Sequence, residues 1–173
     1  MKIANLYFKG SSIGMDALIT IFRKYCRLCR TNHLIIDSLT AFAFAALIFF
    51  FGTIPLDISS ITKIFLPILT FLAGLQSTSL VFFANSNSDL ITKLKKEHIV
   101  KNHIRSNIPK IHQLYAYFAW AVIIQFGTIL VSLLANFLSV NTSAFVYFIL
   151  FTGFYSIILC IRNIGIFFLV LMW

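Results

Sequence analysis

Neutral polar side chains recur at helical spacing inside the long apolar runs of the chain. They form an intramembrane polar stripe that consists of Gln76, Gln125, Thr128, Ser132 and Asn136. The last apolar run carries Thr152, Ser156 and Asn163 at a similar spacing. Because residues three or four apart share a helix face, these groups can hydrogen-bond between packed helices, or they can line a pore or substrate path. The lack of an acid or a base among them favours the first interpretation, and both stay open.

Two charged residues lie near the ends of apolar runs, Asp37 and Arg162. An ionisable group inside a membrane helix is by default a functional-site hypothesis. We expect Asp37 to pair with Arg30 or to reach the headgroups, with a role in ion conduction or gating as the alternative. We expect the long side chain of Arg162 to extend to the headgroups.

The sequence CRLC, with Cys26 and Cys29, is the part of the chain that most resembles a metal-binding or redox motif. Neighbouring basic residues favour thiolates, but no second cysteine pair completes a zinc site, and His98 and His103 fall on different helix faces. The few carboxylates are scattered over loops and boundaries. We therefore predict no catalytic residues, no metal site and no cofactor, and the chain is not expected to be an enzyme.

The elements that position these residues are four long apolar runs in a chain that is 60% hydrophobic and 11% charged. About 20 apolar residues cross a bilayer as a helix, since lipid offers the backbone no hydrogen-bond partners. The runs are 34–54, 64–84, 114–138 and 145–163, with Pro67 in the first turn of the second. The predicted fold class is an all-α integral membrane protein whose four transmembrane helices form two hairpins, because two of the connections are short.

Thirteen of the fourteen Lys and Arg residues fall before the first run, between the second and third, or after the fourth, and only Lys63 falls on the other side. The positive-inside rule then places both termini and the central loop in the cytoplasm. The predicted location is the bacterial inner membrane, multi-pass.

The segments that flank the four runs carry further expectations. Residues 1–14 resemble a leader or tag remnant, and 15–32 form an amphipathic helix that lies on the membrane surface or docks on a partner or the bundle. A single helix through the last residues exceeds one crossing. We therefore expect the apolar tail 164–173 to bend at Gly165. Short outer loops leave little room for a substrate vestibule in a monomer.

The central loop, 85–113, concentrates positive charge between the second and third runs. A helix starting at Ser88 or Asp89 and ending before Pro109 is expected there. Its basic residues are the candidate contacts for a cytosolic protein or anionic lipid: Lys93, Lys95, Lys96, Lys101 and Arg105. Nucleic acid is expected only indirectly, through a partner, because the loop has no aromatic residues for base stacking.

Four spans, cytoplasmic termini and a basic central loop, with the segment FLAGLQSTSLVFFANSNSDLITKLKK, make the chain similar to the KwaA-type membrane subunits of the Kiwa anti-phage defence system. That resemblance implies an oligomeric inner-membrane sensor that docks a cytosolic effector on its basic face. A pore-forming holin- or toxin-like protein and a bacteriocin immunity protein are the alternatives. Since a central path would need several subunits, we expect a homo-oligomer.

Overall fold

The structure of the 173-residue chain is a computed structural model, and most of the chain is described by it. The described residues are 13–28, 31–52, 57–85, 89–101, 104–140 and 142–172.

The described chain is almost entirely helical, with one short β-hairpin in the central loop. In chain order the elements are α1 (Ile13–Leu28), α2 (Thr31–Phe51), α3 (Ile58–Asn85), α4 (Asp89–Lys96), β1 (His98–Lys101), β2 (Ile104–Pro109), α5 (Lys110–Phe137) and α6 (Ser143–Met172). Helices α2, α3, α5 and α6 are long and apolar enough to cross a membrane, which confirms the four predicted runs as helices.

The α3 helix begins earlier than expected, at Ile58, so Pro67 lies inside it rather than in its first turn. Asp57 caps the helix, since its Oδ2 accepts the backbone N–H of Ser60 at 3.4 Å. This cap lets the helix start well before the apolar run does, because it supplies a partner for one of the free backbone amides at a helix start. The proline then costs one hydrogen bond in the helix interior.

The α5 helix ends in a turn that reverses the chain toward α6. Ser139 has a φ of 52°, its N–H donates to the carbonyl of Asn136, and the N–H of Val140 donates to the carbonyl of Ala135. This is the Schellman pattern, in which one left-handed residue lets the last turn satisfy its own carbonyls.

The packing of the long helices differs from the predicted pair of hairpins. Helix α3 packs along α5, α2 packs along α6, and α5 and α6 are also in contact, whereas α2 and α3 make little contact within the described residues. Ala41 and Ala45 of α2 are fully buried, and the Tyr147 hydroxyl donates to the Phe42 carbonyl at 3.4 Å. Small residues on α2 thus let it approach α6, so its partner is not its neighbour in sequence.

The bundle has two ends, named here by their charge. The basic end carries α1, α4 and the β1–β2 hairpin, and the opposite end carries the start of α3 and the α5–α6 connection. The apolar core at the opposite end is centred on Phe65, Leu69, Ile149 and Leu150. Two smaller apolar clusters fill the basic end, one around Tyr25 and Tyr117 and the other around Phe83 and Phe118.

Two expectations about helix ends are wrong. Helix α6 continues through Gly165 to Met172 without the predicted break, because Ile166 and Phe167 pack on the cluster at the basic end and continue the helix along the bundle. The loop helix stops at Lys96 instead of reaching Pro109, and residues 98–109 form an antiparallel hairpin.

The N-terminal helix α1 packs against α5 at the basic end. Tyr25 is 1% exposed and stacks on Trp120, with ring centroids 5.3 Å apart. Leu18, Ile19 and Phe22 on the same helix remain more than 40% exposed. The contact between Tyr25 and Trp120 agrees with the prediction that this helix docks on the bundle. That the exposed apolar residues of α1 lie on the membrane surface stays a prediction.

Candidate functional site

Four of the five residues of the predicted stripe lie inside the protomer. Gln76, Gln125, Thr128 and Ser132 are each at most 4% exposed, while Asn136 is exposed at the opposite end. They lie on α3 and α5, which pack closely along each other. A path between subunits would therefore have to be lined by other residues of this bundle.

At the basic end, a buried amide pair joins three helices. Asn163 of α6 is fully buried, and its Nδ2 donates to Oε1 of Gln76 in α3 at 3.0 Å and to the backbone carbonyl of Tyr117 in α5 at 3.2 Å. Such bonds contribute about 0.5–2 kcal/mol in membrane helices. Sequence analysis named Gln76 and Asn163 as polar residues within apolar runs, but only the structure shows that their side chains are hydrogen-bonded to each other.

Toward the opposite end, buried polar atoms along α3 and α5 find no partner among the described residues. They are both amide atoms of Gln125, Oγ of Ser132 and Oγ1 of Thr62. Eight residues separate Gln125 from Tyr117, which is about 12 Å along α5. Gln125 is therefore well removed from the amide pair at the basic end. Thr128 differs, because its hydroxyl donates to the Ile124 carbonyl at 2.8 Å. A buried polar group without a partner costs about 1–3 kcal/mol.

The charged residues Asp37 and Arg162 form a buried ion pair at the basic end. Nη1 of Arg162 contacts Oδ2 of Asp37, and their side chains are 17% and 10% exposed, respectively. The Nη2 atom donates to the Tyr25 hydroxyl at 3.1 Å, and Cζ lies 5.0 Å from the centre of the Tyr117 ring. Arg162 therefore holds α1, α2, α5 and α6 together instead of extending outward.

Arg30, the predicted partner of Asp37, lies outside the described residues. The observed partner, Arg162, comes from the far end of the sequence, 125 residues away. Asp37 lies in the first run and Arg162 in the last, so no local pattern indicates their contact. Sequence analysis also did not predict the hydrogen bond between Arg162 and the Tyr25 hydroxyl.

The predicted basic contacts lie on α4 and the β-hairpin. Lys93, Lys95 and Lys96 of α4 are exposed. Lys101 and Arg105 lie near the tip of the hairpin, on β1 and β2 respectively, where Val100 pairs with Arg105 and Lys101 with Ile104. The side chains of these two residues are outside what the structure describes. The five positions are thus on consecutive elements of one loop.

The basic loop is anchored to the bundle by an apolar and a polar contact. Ile91 is 1% exposed and packs on Phe83, Ile111 and Phe118. Nζ of Lys110 lies 2.7 Å from Oε2 of Glu97, and the Lys110 N–H donates to the Glu97 carbonyl at 2.8 Å. The hydrogen bond from Lys110 lowers the pKa of Glu97 below its ordinary value.

The opposite end contains a cavity of about 320 Å³ that sequence analysis did not predict. It lies between the start of α3 and the end of α5, and its lining residues are Asp57, Ile58, Ser59, Ala135, Asn136, Ser139 and Val140. The hydrogen bond from Ser60 lowers the pKa of Asp57, so this carboxylate is ionised at neutral pH. The short outer loops are expected to leave little room for a vestibule, and the walls of this open cavity come instead from the ends of two helices.

Within the described ranges, no group of three His, Cys, Asp or Glu residues is placed to hold a metal ion. Cys26 is exposed and Cys160 is buried, while Cys29 and His103 are not described. The predictions of no metal, no cofactor and no catalysis stay predictions.

The chain is thus a helical bundle with four helices long enough to span a membrane, which makes a multi-pass membrane protein its broad class. No protein-family model matches it, and comparisons with curated proteins and with solved structures find no match.

Proposed function

We propose that the protein is a non-enzymatic, homo-oligomeric subunit of a bacterial inner membrane that docks a cytosolic protein on its basic end. Four apolar helices support the membrane location. The charge distribution supports the orientation, because Lys63 is the one basic residue predicted on the outer side and basic segments stay in the cytoplasm.

The observation that carries the docking proposal is the anchored basic surface on α4. Ile91 and the Glu97–Lys110 pair fix α4 to the bundle, while its three lysines point outward. A fixed surface loses less conformational entropy when it binds than a flexible loop does. The partner is therefore expected to present acidic groups, and anionic lipid headgroups are the competing ligands.

Charge reversal on α4 tests the docking proposal. The triple variant Lys93→Glu, Lys95→Glu, Lys96→Glu should lose a partner protein that co-purifies with the wild type from native membranes in mild detergent. The matched control is Lys63→Glu at the opposite end, which should retain it. Native mass determination of the assembly gives the oligomeric state in the same experiment.

An insertion control separates loss of docking from loss of orientation. Reporter fusions at the C-terminus of the wild type and of the triple variant should report the same cytoplasmic side. If the partner remains bound to the correctly inserted triple variant, the α4 surface is not the docking site. If no cytosolic protein accompanies the wild type, the docking proposal is wrong.

A pore-forming function is the second candidate, and the buried amide of Gln125 favours it, because its polar atoms make no bond among the described residues. Strong expression should then depolarise cells, and Gln125→Leu should relieve the effect. Unchanged membrane potential would remove this candidate. An anti-phage role and a bacteriocin immunity role stay predictions, tested by phage challenge and by protection against a bacteriocin panel.

A further inference from the structure

We infer that the outer edge of β1 is a docking site for an extended, acidic segment of the cytosolic partner, which adds a third strand to the hairpin. The site rests on the proposed docking function and deepens it, because it names the backbone conformation and the charge of the segment that binds. In strand addition, main-chain hydrogen bonds supply much of the affinity, and side chains supply the specificity.

The first observation is the open edge of the hairpin. Strands β1 and β2 form a two-stranded antiparallel sheet. Strand β2 packs against α4 and α5, whereas the main neighbour of β1 is β2 itself. Among the described residues, no further strand pairs with the outer side of β1. The backbone N–H and C=O groups along such an edge can pair with a strand from another chain.

The second observation is the register, which identifies the groups that point outward. Val100 pairs with Arg105 and Lys101 with Ile104, and hydrogen-bonded pairs alternate with non-hydrogen-bonded ones along an antiparallel ladder. Only two residues separate Lys101 from Ile104, so this pair exchanges both backbone bonds, because the other pattern would require a bond between two residues adjacent in sequence. The N–H and C=O of Val100 therefore point away from β2, toward the open edge.

The third observation is the charge around this edge. Residues 98–109 include Lys101 and Arg105 and no Asp or Glu, and Lys93 and Lys96 are exposed on the preceding helix. A second copy of β1 would bring like charges together across the new pair, which is unfavourable. A lysine on a short edge strand is a common protection against such pairing. An acidic strand is therefore the occupant that the charges favour.

The first test uses a synthetic peptide of alternating glutamate and valine residues. Its binding to the purified full-length protein, in maltoside micelles at low ionic strength, is measured by fluorescence anisotropy and should be saturable. The same peptide with N-methylated backbone amides keeps its charge but cannot donate hydrogen bonds, and it should bind at least about fivefold more weakly. A lysine–valine peptide should not bind, because it repeats the positive charge of the loop.

The second test changes the edge itself. Val100→Pro removes the outward N–H, and proline is tolerated where the N–H of an edge strand faces away from its neighbour. This variant should bind the glutamate peptide several-fold more weakly. The matched control Val100→Thr keeps the N–H and a β-branched side chain, and it should bind like the wild type. Hydrogen exchange at Lys101 and Ile104 should be equally slow in both variants, and if Val100→Pro loses this protection, the comparison of the two glutamate peptides decides.

Co-purification from native membranes separates this site from the proposed function. A partner that is lost from both Val100→Pro and the triple α4 variant supports strand addition. A partner that Val100→Pro retains and the triple variant loses leaves the docking function in place and overturns the strand site. Equal binding of the two glutamate peptides, or binding of neither, also overturns it. If no cytosolic protein accompanies the wild type, the docking proposal is wrong, and the peptides still decide whether the edge accepts a strand.

Discussion

The two halves of the bundle satisfy their buried polar groups in different ways. At the basic end, Asn163 bonds to Gln76 and to the backbone of α5, and Arg162 bonds to Asp37 and Tyr25. Even there the pairing is partial, because Nε2 of Gln76 and Oδ1 of Asn163 have no partner among the described residues. Toward the opposite end, Gln125, Ser132 and Thr62 are equally buried, and none of their side-chain polar atoms has a partner there. That half is stabilised by the packing of Phe65, Leu69 and Ile149.

This difference suggests a division of roles within one small protein. Polar bonds at the basic end join five helices into a rigid base for the proposed docking surface. Side chains without any hydrogen bond in the other half lower stability.

Removing one partner of the buried ion pair should have the largest effect. Asp37→Asn leaves the Arg162 charge uncompensated, and breaking such a pair costs about 3–5 kcal/mol. The free energy of unfolding in micelles measures the loss. The double variant Asp37→Leu, Arg162→Met should recover most of it, whereas Asp57→Asn at the surface of the opposite end should have little effect. Equal losses in the double and single variants would contradict a dominant role of the unpaired charge.

Adding a methyl group at Gly153 should disturb the packed half. A Cβ at this position would lie 2.6 Å from the Phe65 ring, while one at Gly127 would meet nothing within 4 Å. Gly153→Ala should therefore cost about 1–3 kcal/mol, and Gly127→Ala should be neutral or stabilising, since Ala favours helices. Thermal unfolding of the two variants compares them directly. Equal melting temperatures would show that close packing at Phe65 is not limiting.

Replacing the two buried glutamines should separate the two halves most clearly. Gln76→Leu removes the acceptor of Asn163 and should cost about 0.5–2 kcal/mol. Gln125→Leu should be neutral or stabilising, because it removes two unsatisfied atoms. The same unfolding measurement serves both variants. A destabilised Gln125→Leu would mean that the amide has partners in the membrane, such as ordered water or another subunit.

The smallest effect concerns pH at the basic loop. The pKa of Glu97 is lowered in the folded state by Lys110, so the pair stabilises the hairpin above the ordinary pKa of glutamate and is lost as pH falls through the lower folded value. Amide chemical shifts of residues 104–108 should change as the pH falls below about 5, which is below the range in which histidine side chains ordinarily titrate. In Glu97→Gln this change should be absent, and a change that persists would exclude Glu97 as its origin.

The main helices were predictable because a long apolar run has one stable conformation in lipid. Helix ends were not, since Asp57 extends α3 beyond its apolar run and Ile166 and Phe167 carry α6 past Gly165. The hairpin at 98–109 was missed, because the tertiary anchor at Lys110 and Glu97 competes with local helix propensity.

The polar residues were found from their spacing, but their partners were not. Gln125 and Gln76 look alike in sequence, each a glutamine within an apolar run, yet one has a buried partner and the other has none. Sequence analysis did not predict the cavity, because its walls come from residues about 80 positions apart that the packing of α3 on α5 brings together.

Four apolar helices and a concentration of basic residues at one end can both be predicted from the sequence, because both follow from local composition. The packing of α2 on α6, the bond between Arg162 and Asp37 and the set of buried polar groups without a partner among the described residues all depend on how distant segments pack. Helix pairing depends on how small and large side chains fit across distant segments, and no periodicity within one segment carries that information.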